Sequence, residues 1–221
     1  ELIEPQQDRF DFSSVDYLQR SARANNLKLV LLWFGSWKNS MSCYVPSWVK
    51  RGFGEEFDLA RNSDGNTPEI MTAFSESNVR ADSKAFATLM RYLKKADGAE
   101  GTVIMVQVEN EYGSYGQDKE YVSAVRDMVR EAGFTDVPLF QCDWASNFEL
   151  NALDDLVWTM NFGTGANIDS QFRRLKELRP NTPLMCSEFW SGWFDKWGAR
   201  HETRPAKDMV DGGGCIINIS S

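Results

Sequence analysis

The sequence predicts an α/β fold in which parallel strands and helices form an incomplete (β/α)8 TIM barrel. Short apolar runs, each about six residues long, alternate with helical patterns along the chain, which is typical of a parallel sheet. No glycine-rich phosphate loop of the GxGxxG or GxxxxGKS/T type follows an early strand, and this disfavours a doubly wound sheet. The sequence supplies five firm strands and one doubtful strand at 215–219, whereas a closed barrel has about eight.

The strand-like runs consist mainly of β-branched and other apolar residues without polar alternation, which indicates strands buried on both faces. They cover residues 27–34, 103–108, 137–142, 156–161 and 183–187. Polar residues follow several of these runs directly. Because the carboxyl ends of the strands carry the active site in barrels of this type, those polar residues are candidates for function.

Helical patterns with start and stop signals lie between the runs. They cover residues 13–25, 75–95, 119–132 and 168–178, and a further helix is expected to begin near 204. Ser13 or Ser14 is expected to cap the first helix, Ser75 is expected to cap the second, and Gly133 is expected to end the third. The stretch 35–72 is rich in Gly, Pro, Asn and Asp, so it is predicted to be a long functional loop.

Composition indicates one globular domain. A chain of 221 residues with 42% hydrophobic residues is long enough to bury a sizeable core. The net charge of -8 argues against a nucleic-acid partner, which needs a basic face. No apolar run is long enough to cross a membrane, so no membrane partner is expected. No targeting signal is visible in the chain, and its composition leaves the compartment and the oligomeric state open.

The cysteines do not indicate a metal site. Cys43, Cys142, Cys186 and Cys215 are widely spaced and form no CxxC motif. Because His201 is the single histidine of the chain, a Cys/His zinc site is not expected. Cys142 and Cys186 belong to strand-like runs and are predicted to be packing thiols.

Two glutamates at strand ends indicate the chemistry. Glu111 follows the second strand-like run, and Glu188 follows the fifth. Side chains that lie three strands apart in a barrel are able to face each other across its mouth, so the two carboxylates are expected to meet there. Such a pair is the equipment of a glycoside hydrolase, and a separation of about 5 to 5.5 Å would mean retention of configuration. A structural ion pair or a surface acid is the alternative for Glu188.

The chain contains eight tryptophans, a high number for its length, and several of them follow strand-like runs. Trp144, Trp190 and Trp193 are of this kind. An indole ring at a strand end is able to stack on the apolar face of a sugar, while a core position is the alternative for many members of the set. The aromatic content therefore favours a carbohydrate ligand.

Two long motifs resemble the active-site motifs of family 35 of the glycoside hydrolases. They are VQVENEYGSYG at 106–116 and SEFWSGWFDKWG at 187–198, and NFGTGANI at 161–168 is similar to the same family. The resemblance extends over nearly the whole chain, to residue 210. It implies a retaining β-galactosidase of clan A on a (β/α)8 barrel, with a β-galactoside or related oligosaccharide as partner and no cofactor. It also suggests a secreted or periplasmic location.

The resemblance implies roles residue by residue. Glu111 is implied as the acid/base and Glu188 as the nucleophile, while Asn110 is implied to hydrogen-bond the sugar 2-hydroxyl. Glu109 is expected to point to the other face of the strand, because neighbouring side chains alternate. The further candidates for substrate binding are Tyr112, Trp144, Asn161, Trp190 and Trp193.

One segment departs from the family pattern. Common members carry a Cys-Ala-Glu-Trp-like segment that contacts the galactose hydroxyls, whereas this sequence has WFGSWKN at 33–39. The departure resembles a divergent bacterial branch and leaves strict galactose specificity open. Trp37, Lys38 and Asn39 are the candidates for replacing those contacts, and a loop anchored by one buried tryptophan is the alternative.

The expected organisation is a partial catalytic barrel over residues 1–221, without the first two strands and the end of a complete barrel. Residues 211–221 form an atypical C-terminal segment that resembles a strand of short-chain dehydrogenases. We interpret this likeness as coincidence or an assembly artefact, because no dinucleotide loop accompanies it. Two other functions stay open: hydrolysis of another β-glycoside, and sugar binding by a barrel that is catalytically inactive.

Overall fold

The computed structural model describes residues 1–41 and 44–210. Predictions on Cys43, on Cys215 and on the segment 211–221, including the doubtful strand at 215–219, lie outside these residues. The described chain folds as one parallel sheet packed against helices.

The sheet has five parallel strands, and strands that are adjacent in the sheet are also adjacent along the chain. They are β1 (Leu29–Leu31), β2 (Val103–Gln107), β3 (Leu139–Asp143), β4 (Val157–Gly163) and β5 (Cys186–Trp190). A sheet that adds each new strand at the same edge follows the order of a (β/α)8 barrel, because a doubly wound sheet reverses direction. The predicted α/β class and the five firm strands are confirmed.

The two edge strands differ from their predicted bounds. β1 is shorter than the run 27–34, and its register with β2 shifts between Leu29 and Val30. β5 begins at Cys186, so Glu188 lies within the strand, opposite Asn161 of β4, instead of after it. The register shift between Met160 and Asn161 accompanies this pairing.

Helices precede, separate and follow the strands in the described part of the chain, and none of them is long and apolar enough to span a bilayer. They are α1 (Ser13–Ala24), α2 (Ser36–Met41), α3 (Ser47–Lys50), α4 (Glu76–Asp97), α5 (Lys119–Glu131), α6 (Phe148–Asn151), α7 (Ile168–Leu178) and α8 (Ala206–Val210). Because α2 and α3 lie inside the stretch 35–72, the prediction of a continuous loop there is wrong in part. Tertiary contacts hold this stretch in place: the Ser40 hydroxyl accepts the backbone N–H of Met71 (2.9 Å).

The helix ends test the predicted caps. Ser75 precedes α4 and its hydroxyl accepts the N–H three residues later, which confirms the cap. Gly133 has a left-handed φ of 101° directly after α5, as expected for a helix stop. The serine cap predicted for α1 is wrong, because the helix already begins at Ser13 and the Ser13 N–H is accepted by Asp11 (2.9 Å).

The core consists of two main clusters that fix the sheet from its helical side. The first joins α4 and α5 to β2, and the second joins α7 to β4. Their most deeply buried members are Phe86, Val106, Val122, Val125, Val129, Met160 and Leu175. Apolar packing on this side supplies the stabilising burial and leaves the carboxyl ends of the strands available for polar groups.

Candidate active site

Three polar side chains meet at the carboxyl ends of β2, β4 and β5. The Asn161 Nδ2 atom donates a hydrogen bond to Glu111 Oε1 (2.8 Å) and another to Glu188 Oε2 (3.4 Å). Since one nitrogen reaches an oxygen on each residue, those two oxygens are separated by roughly 6 Å at most, near the spacing of retaining pairs. The structure therefore brings the two glutamates together across three strands.

Glu111 is held by contacts from two neighbouring elements. Its backbone N–H donates to the carbonyl of Cys142 at the end of β3 (3.2 Å). Its Oε2 atom lies 3.5 Å from the ammonium of Lys38, which α2 supplies. Both side chains are largely buried, at 10% and 17% exposed, so solvent screens this ion pair less than a surface pair. Lys38 is thus the one member of the predicted 37–39 set that contacts a carboxylate of the site.

Glu188 has a second hydrogen-bond partner and a shifted acidity. The indole N–H of Trp190 donates to Glu188 Oε1 (2.6 Å). Burial raises the pKa of Glu188, and the charge of Glu111 raises it further, whereas the Trp190 hydrogen bond and the Lys38 charge oppose the shift. Trp190 therefore stabilises the ionised form of this carboxylate.

The amide of Asn110 is fixed in one orientation. Its Oδ1 atom accepts from Gln107 Nε2 (3.1 Å) and from the Cys142 thiol (3.3 Å). Its Nδ2 atom is buried and has no partner among the described residues. A buried amide donor without a partner is costly, so a ligand acceptor would be well placed to satisfy it. Burial raises the pKa of Cys142, which keeps this thiol protonated as a packing residue.

An aromatic cleft opens beside Glu188. Trp144 and Trp190 have ring centroids 4.9 Å apart, and Trp193 packs edge-on against Trp190 at 5.7 Å. Trp144 and Trp193 keep 39% and 51% of their surfaces exposed, so both rings are accessible to a ligand. The cleft has a volume of about 380 Å³ and its polar lining includes Asn161, Thr164, Gln171, Glu202 and Arg204. The last four of these residues were not among the sequence candidates. Thr164 directly follows β4, so the strand-end signal could have found it, whereas no such signal marks Gln171, which lies within α7, or Glu202 and Arg204.

Three sequence candidates have side chains held by other groups of the protein, and their role as substrate contacts stays a prediction. Trp37 is only 7% exposed, and its indole N–H donates to the carbonyl of Asn110 (3.0 Å), so it anchors the loop that carries Glu111. Tyr112 is 3% exposed and packs against other tyrosines. Asn39 donates to the backbone carbonyl of Phe34 and closes the turn before α2. Tertiary packing thus encloses the rings of Trp37 and Tyr112, whereas Asn39 makes a local contact within its own loop.

Two buried acids that sequence reasoning did not use support the site from behind. Asp143, at the end of β3, accepts the backbone N–H groups of Gly113 and Trp144 (both 2.8 Å). It thereby links the turn after Glu111 to the aromatic cleft, and burial raises its pKa to about 6. The signal that marks Asp143 in the sequence is the one that marks Glu111, an acid directly following an apolar run.

Glu109 is the second buried acid. It points away from Glu111 toward Gly35 and Tyr121, as expected, but strand alternation is not the cause. β2 ends at Gln107, and Glu109 adopts a left-handed φ of 57° outside the strand. Within the described residues, no cluster of three His, Cys, Asp or Glu side chains is arranged to hold a metal ion.

Residues 53–218 match glycosyl hydrolases family 35. The chain belongs to this family. It is 34% identical over 217 residues to a β-galactosidase of Xanthomonas manihotis, and the match covers 95% of this chain and 33% of that relative. It is 43% identical over 106 residues to a human β-galactosidase, covering 47% of this chain and 16% of the relative. The chain thus spans about a third or less of the length of these relatives.

Solved structures support the fold of this family 35 chain. A family GH10 xylanase of Thermobacillus composti superimposes with a TM-score of 0.54 at 14% identity, over 95% of this chain and 63% of that one. Xylanase 10B of Thermotoga maritima superimposes with a TM-score of 0.54 at 18% identity, over 83% and 57%. At these identities the likeness shows the fold alone, and it confirms the predicted incomplete (β/α)8 barrel.

Proposed function

We propose that the protein hydrolyses terminal β-galactosides with retention of configuration, with Glu188 as nucleophile and Glu111 as acid/base. The observation that carries the proposal is the Asn161 amide, which binds both carboxylates at once. The two oxygens that Asn161 binds are roughly 6 Å apart at most, and this supports a retaining pair over an inverting one, whose carboxyl groups are spaced by about 6.5 to 9.5 Å to leave room for water.

In the first step, a carboxylate oxygen of Glu188 attacks the anomeric carbon of the sugar. The bond from that carbon to the leaving oxygen breaks, and Glu111 donates its proton to this oxygen. The product is a glycosyl ester on Glu188. The unpartnered Nδ2 of Asn110 is available to donate to a sugar hydroxyl, and such a bond would strengthen as charge develops on the ring.

In the second step, Glu111 removes a proton from a water molecule, which attacks the anomeric carbon and releases Glu188 as a carboxylate. Lys38 contributes in this step by orienting Glu111, because its ammonium lies 3.5 Å from the Oε2 atom of the carboxylate that must act as base. Attack on the opposite face in each step restores the original configuration.

The choice of sugar rests on the relatives, which are named β-galactosidases. The aromatic cleft supports a carbohydrate ligand larger than one ring, since Trp144 and Trp193 offer exposed faces beyond the carboxylate pair. We therefore propose a galactosyl residue at the two glutamates and further sugar residues of the oligosaccharide against the cleft.

The test is a panel of aryl β-glycosides assayed with the full-length protein. We expect the β-galactoside to be cleaved faster than the β-glucoside and the β-arabinoside, and both Glu188→Gln and Glu111→Gln to lose nearly all activity. A 2-fluoro-substituted galactoside with a good leaving group should label the peptide that contains Glu188 with one sugar.

Labelling of another residue, or a Glu188→Gln variant that keeps most of the activity, would refute the assignment of roles. Faster cleavage of another glycoside would preserve the mechanism and change the substrate. Galactose binding without turnover would instead indicate a carbohydrate-binding barrel.

A further inference from the structure

We propose that Glu109 is a positioning residue that fixes the acid/base Glu111 and its partner Lys38 in their positions relative to each other. This inference rests on the proposed role of Glu111. Glu109 is 1% exposed and its carboxylate accepts three hydrogen bonds from the protein, so it is directed at protein groups and not at the substrate. It is neither one of the two catalytic carboxylates nor part of the aromatic cleft, yet every oxygen of its carboxylate is engaged.

The carboxylate of Glu109 joins three elements. Its Oε1 atom accepts the backbone N–H of Gly35 (2.9 Å), directly before α2, and the backbone N–H of Asn110 (2.8 Å). Its Oε2 atom accepts the hydroxyl of Tyr121 from α5 (2.6 Å). The bond from the Gly35 N–H fixes the start of the helix that carries Lys38, and the bond from the Asn110 N–H fixes the residue directly before Glu111.

The backbone at this point needs such support. Glu109 and Glu111 have φ values of 57° and 50°, so two residues without glycine's freedom adopt the left-handed conformation on either side of Asn110. This region disfavours side chains with a Cβ, and such residues persist where surrounding contacts determine them. The bond from the Asn110 N–H to Glu109 closes this turn, and the Trp37 indole supports the Asn110 carbonyl on its other side (3.0 Å).

The surroundings are shaped to admit this one carboxylate. A methyl group on Gly35 would overlap both the Glu109 carboxylate and the Tyr121 hydroxyl, so only glycine leaves room for the contact. The charged groups that face Glu109 are Asp82 from α4, which repels it, and Lys38 from α2, which attracts it. Burial raises the pKa of Glu109 to about 7, against the opposing effect of its three hydrogen bonds.

If Glu109 acts through Glu111, its loss should impair proton donation more than any other part of the reaction. Leaving groups of low pKa depart without an acid, whereas poor leaving groups require one. In the full-length protein, Glu109→Ala should lower kcat/KM for a phenyl β-galactoside about 100-fold and for a dinitrophenyl β-galactoside only a few-fold. Glu111→Ala provides the reference for this signature.

Conservative variants separate positioning from general damage. Glu109→Gln retains an oxygen for both N–H groups and a donor for the Tyr121 oxygen, so it should stay within about fivefold of the parent on both substrates. Glu109→Asp keeps a buried carboxylate that is one methylene too short, and it should show the leaving-group signature. Glu109→Asp replaces Glu109→Ala in the comparison of the two substrates if Glu109→Ala does not fold. Gly35→Ala, which displaces the carboxylate from the opposite side, should show the same signature.

The matched control is Asp97→Ala, which removes a buried acid that also binds two N–H groups, at the other end of β2. It should affect both substrates equally. Equal losses on both substrates in Glu109→Asp, or no loss, would overturn the inference. If Glu111→Gln and Glu188→Gln were fully active, the proposed function would fail instead, so the two failures are distinguishable.

Discussion

A buried acid accepts two backbone N–H groups near each end of β2, but the two acids have different roles. At the N-terminal end, Asp97 accepts the backbone N–H groups of Thr102 and Val103, with distances of 2.9 and 3.2 Å. Beyond the C-terminal end, Glu109 also accepts two backbone N–H groups, at 2.9 and 2.8 Å. Asp97 and Glu109 are both almost fully buried, at 6% and 1% exposed. The hydrogen bonds alone therefore do not distinguish the two acids.

The electrostatic surroundings of Asp97 and Glu109 distinguish the two acids. Burial, the largest influence on Asp97, raises its pKa, but hydrogen bonds from Thr102, Val103 and Arg23 outweigh it and the net shift is downward. Burial likewise dominates for Glu109, and there the hydrogen bonds do not compensate, so its pKa rises to about 7. Asp97 is a stabilising anion paired with a cation, whereas Glu109 is an enclosed acid that serves the geometry of the site. This difference matches the general division between the stability face and the catalytic face of such barrels.

The largest expected difference between the two ends is in activity. Glu188→Ala should lower kcat/KM on an aryl β-galactoside by at least about 10⁴-fold, because the nucleophile is lost. Asp97→Ala should change it less than about threefold in protein that remains folded. Initial rates at 25 °C, with the folded fraction checked by circular dichroism, compare the two. A large activity loss in Asp97→Ala would contradict the division between a stabilising end and a catalytic end of β2.

The reverse is expected for stability. Asp97→Ala leaves two buried N–H groups without an acceptor and should lower the free energy of unfolding by about 3 kcal/mol. Glu188→Ala removes a buried carboxylate whose pKa is raised, so it should leave stability unchanged or increase it. Urea unfolding at pH 7 measures both. Equal losses in the two variants would contradict the comparison.

The pH dependence of stability should have opposite signs at the two ends. Because the pKa of Glu109 is raised from 4.5 to about 7 on folding, its contribution is present at low pH and is lost as pH rises through about 7. Between pH 5 and 8 the parent should therefore lose about 2 kcal/mol more stability than Glu109→Gln.

The Asp97 contribution runs the other way. Its pKa is lowered on folding, so its stabilisation is present above the ordinary aspartate pKa and is lost as pH falls through the lowered value. Asp97→Asn should thus be destabilised at neutral pH and approach the parent in acid. Unfolding curves at a series of pH values test both signs, and parallel profiles for the two variants would refute the assignment.

The smallest effect is expected at Trp190. Trp190→Phe keeps an aromatic ring but removes the N–H that stabilises ionised Glu188, so the acid limb of kcat/KM should move to higher pH. Losing a hydrogen bond to a charged group costs about 1.5 kcal/mol, so the rate on the acidic side should fall about tenfold. A profile that is reduced equally at every pH would show that the indole N–H does not act on Glu188.

Sequence reasoning located the strands and the two glutamates, because apolar runs and the residues that follow them are local features. It also located Ser75 and Gly133, whose effects on α4 and α5 depend on the residues next to them. It missed α2 and α3, because helices this short depend on tertiary contacts more than on propensity; in α2, the Ser40 hydroxyl accepts the N–H of Met71. It left two interpretations of Trp37 open, a substrate contact and a buried loop anchor, because the groups that enclose this ring are distant in the chain.

The sequence by itself determined that Glu111 and Glu188 lie at the same end of the sheet, where the strands have their carboxyl ends. Parallel connectivity places the carboxyl ends of all strands together, so the order along the chain is sufficient. Only the tertiary structure decided what surrounds them. Lys38 contacts Glu111 although 73 residues separate them in the chain, and Asn161 binds carboxylates from two strands that are not neighbours in the sheet. Glu109, which lies between Lys38 and Glu111 in the chain, binds the backbone before α2. Enclosed polar groups are paired by elements distant in the chain, and that pairing exists only once the elements pack.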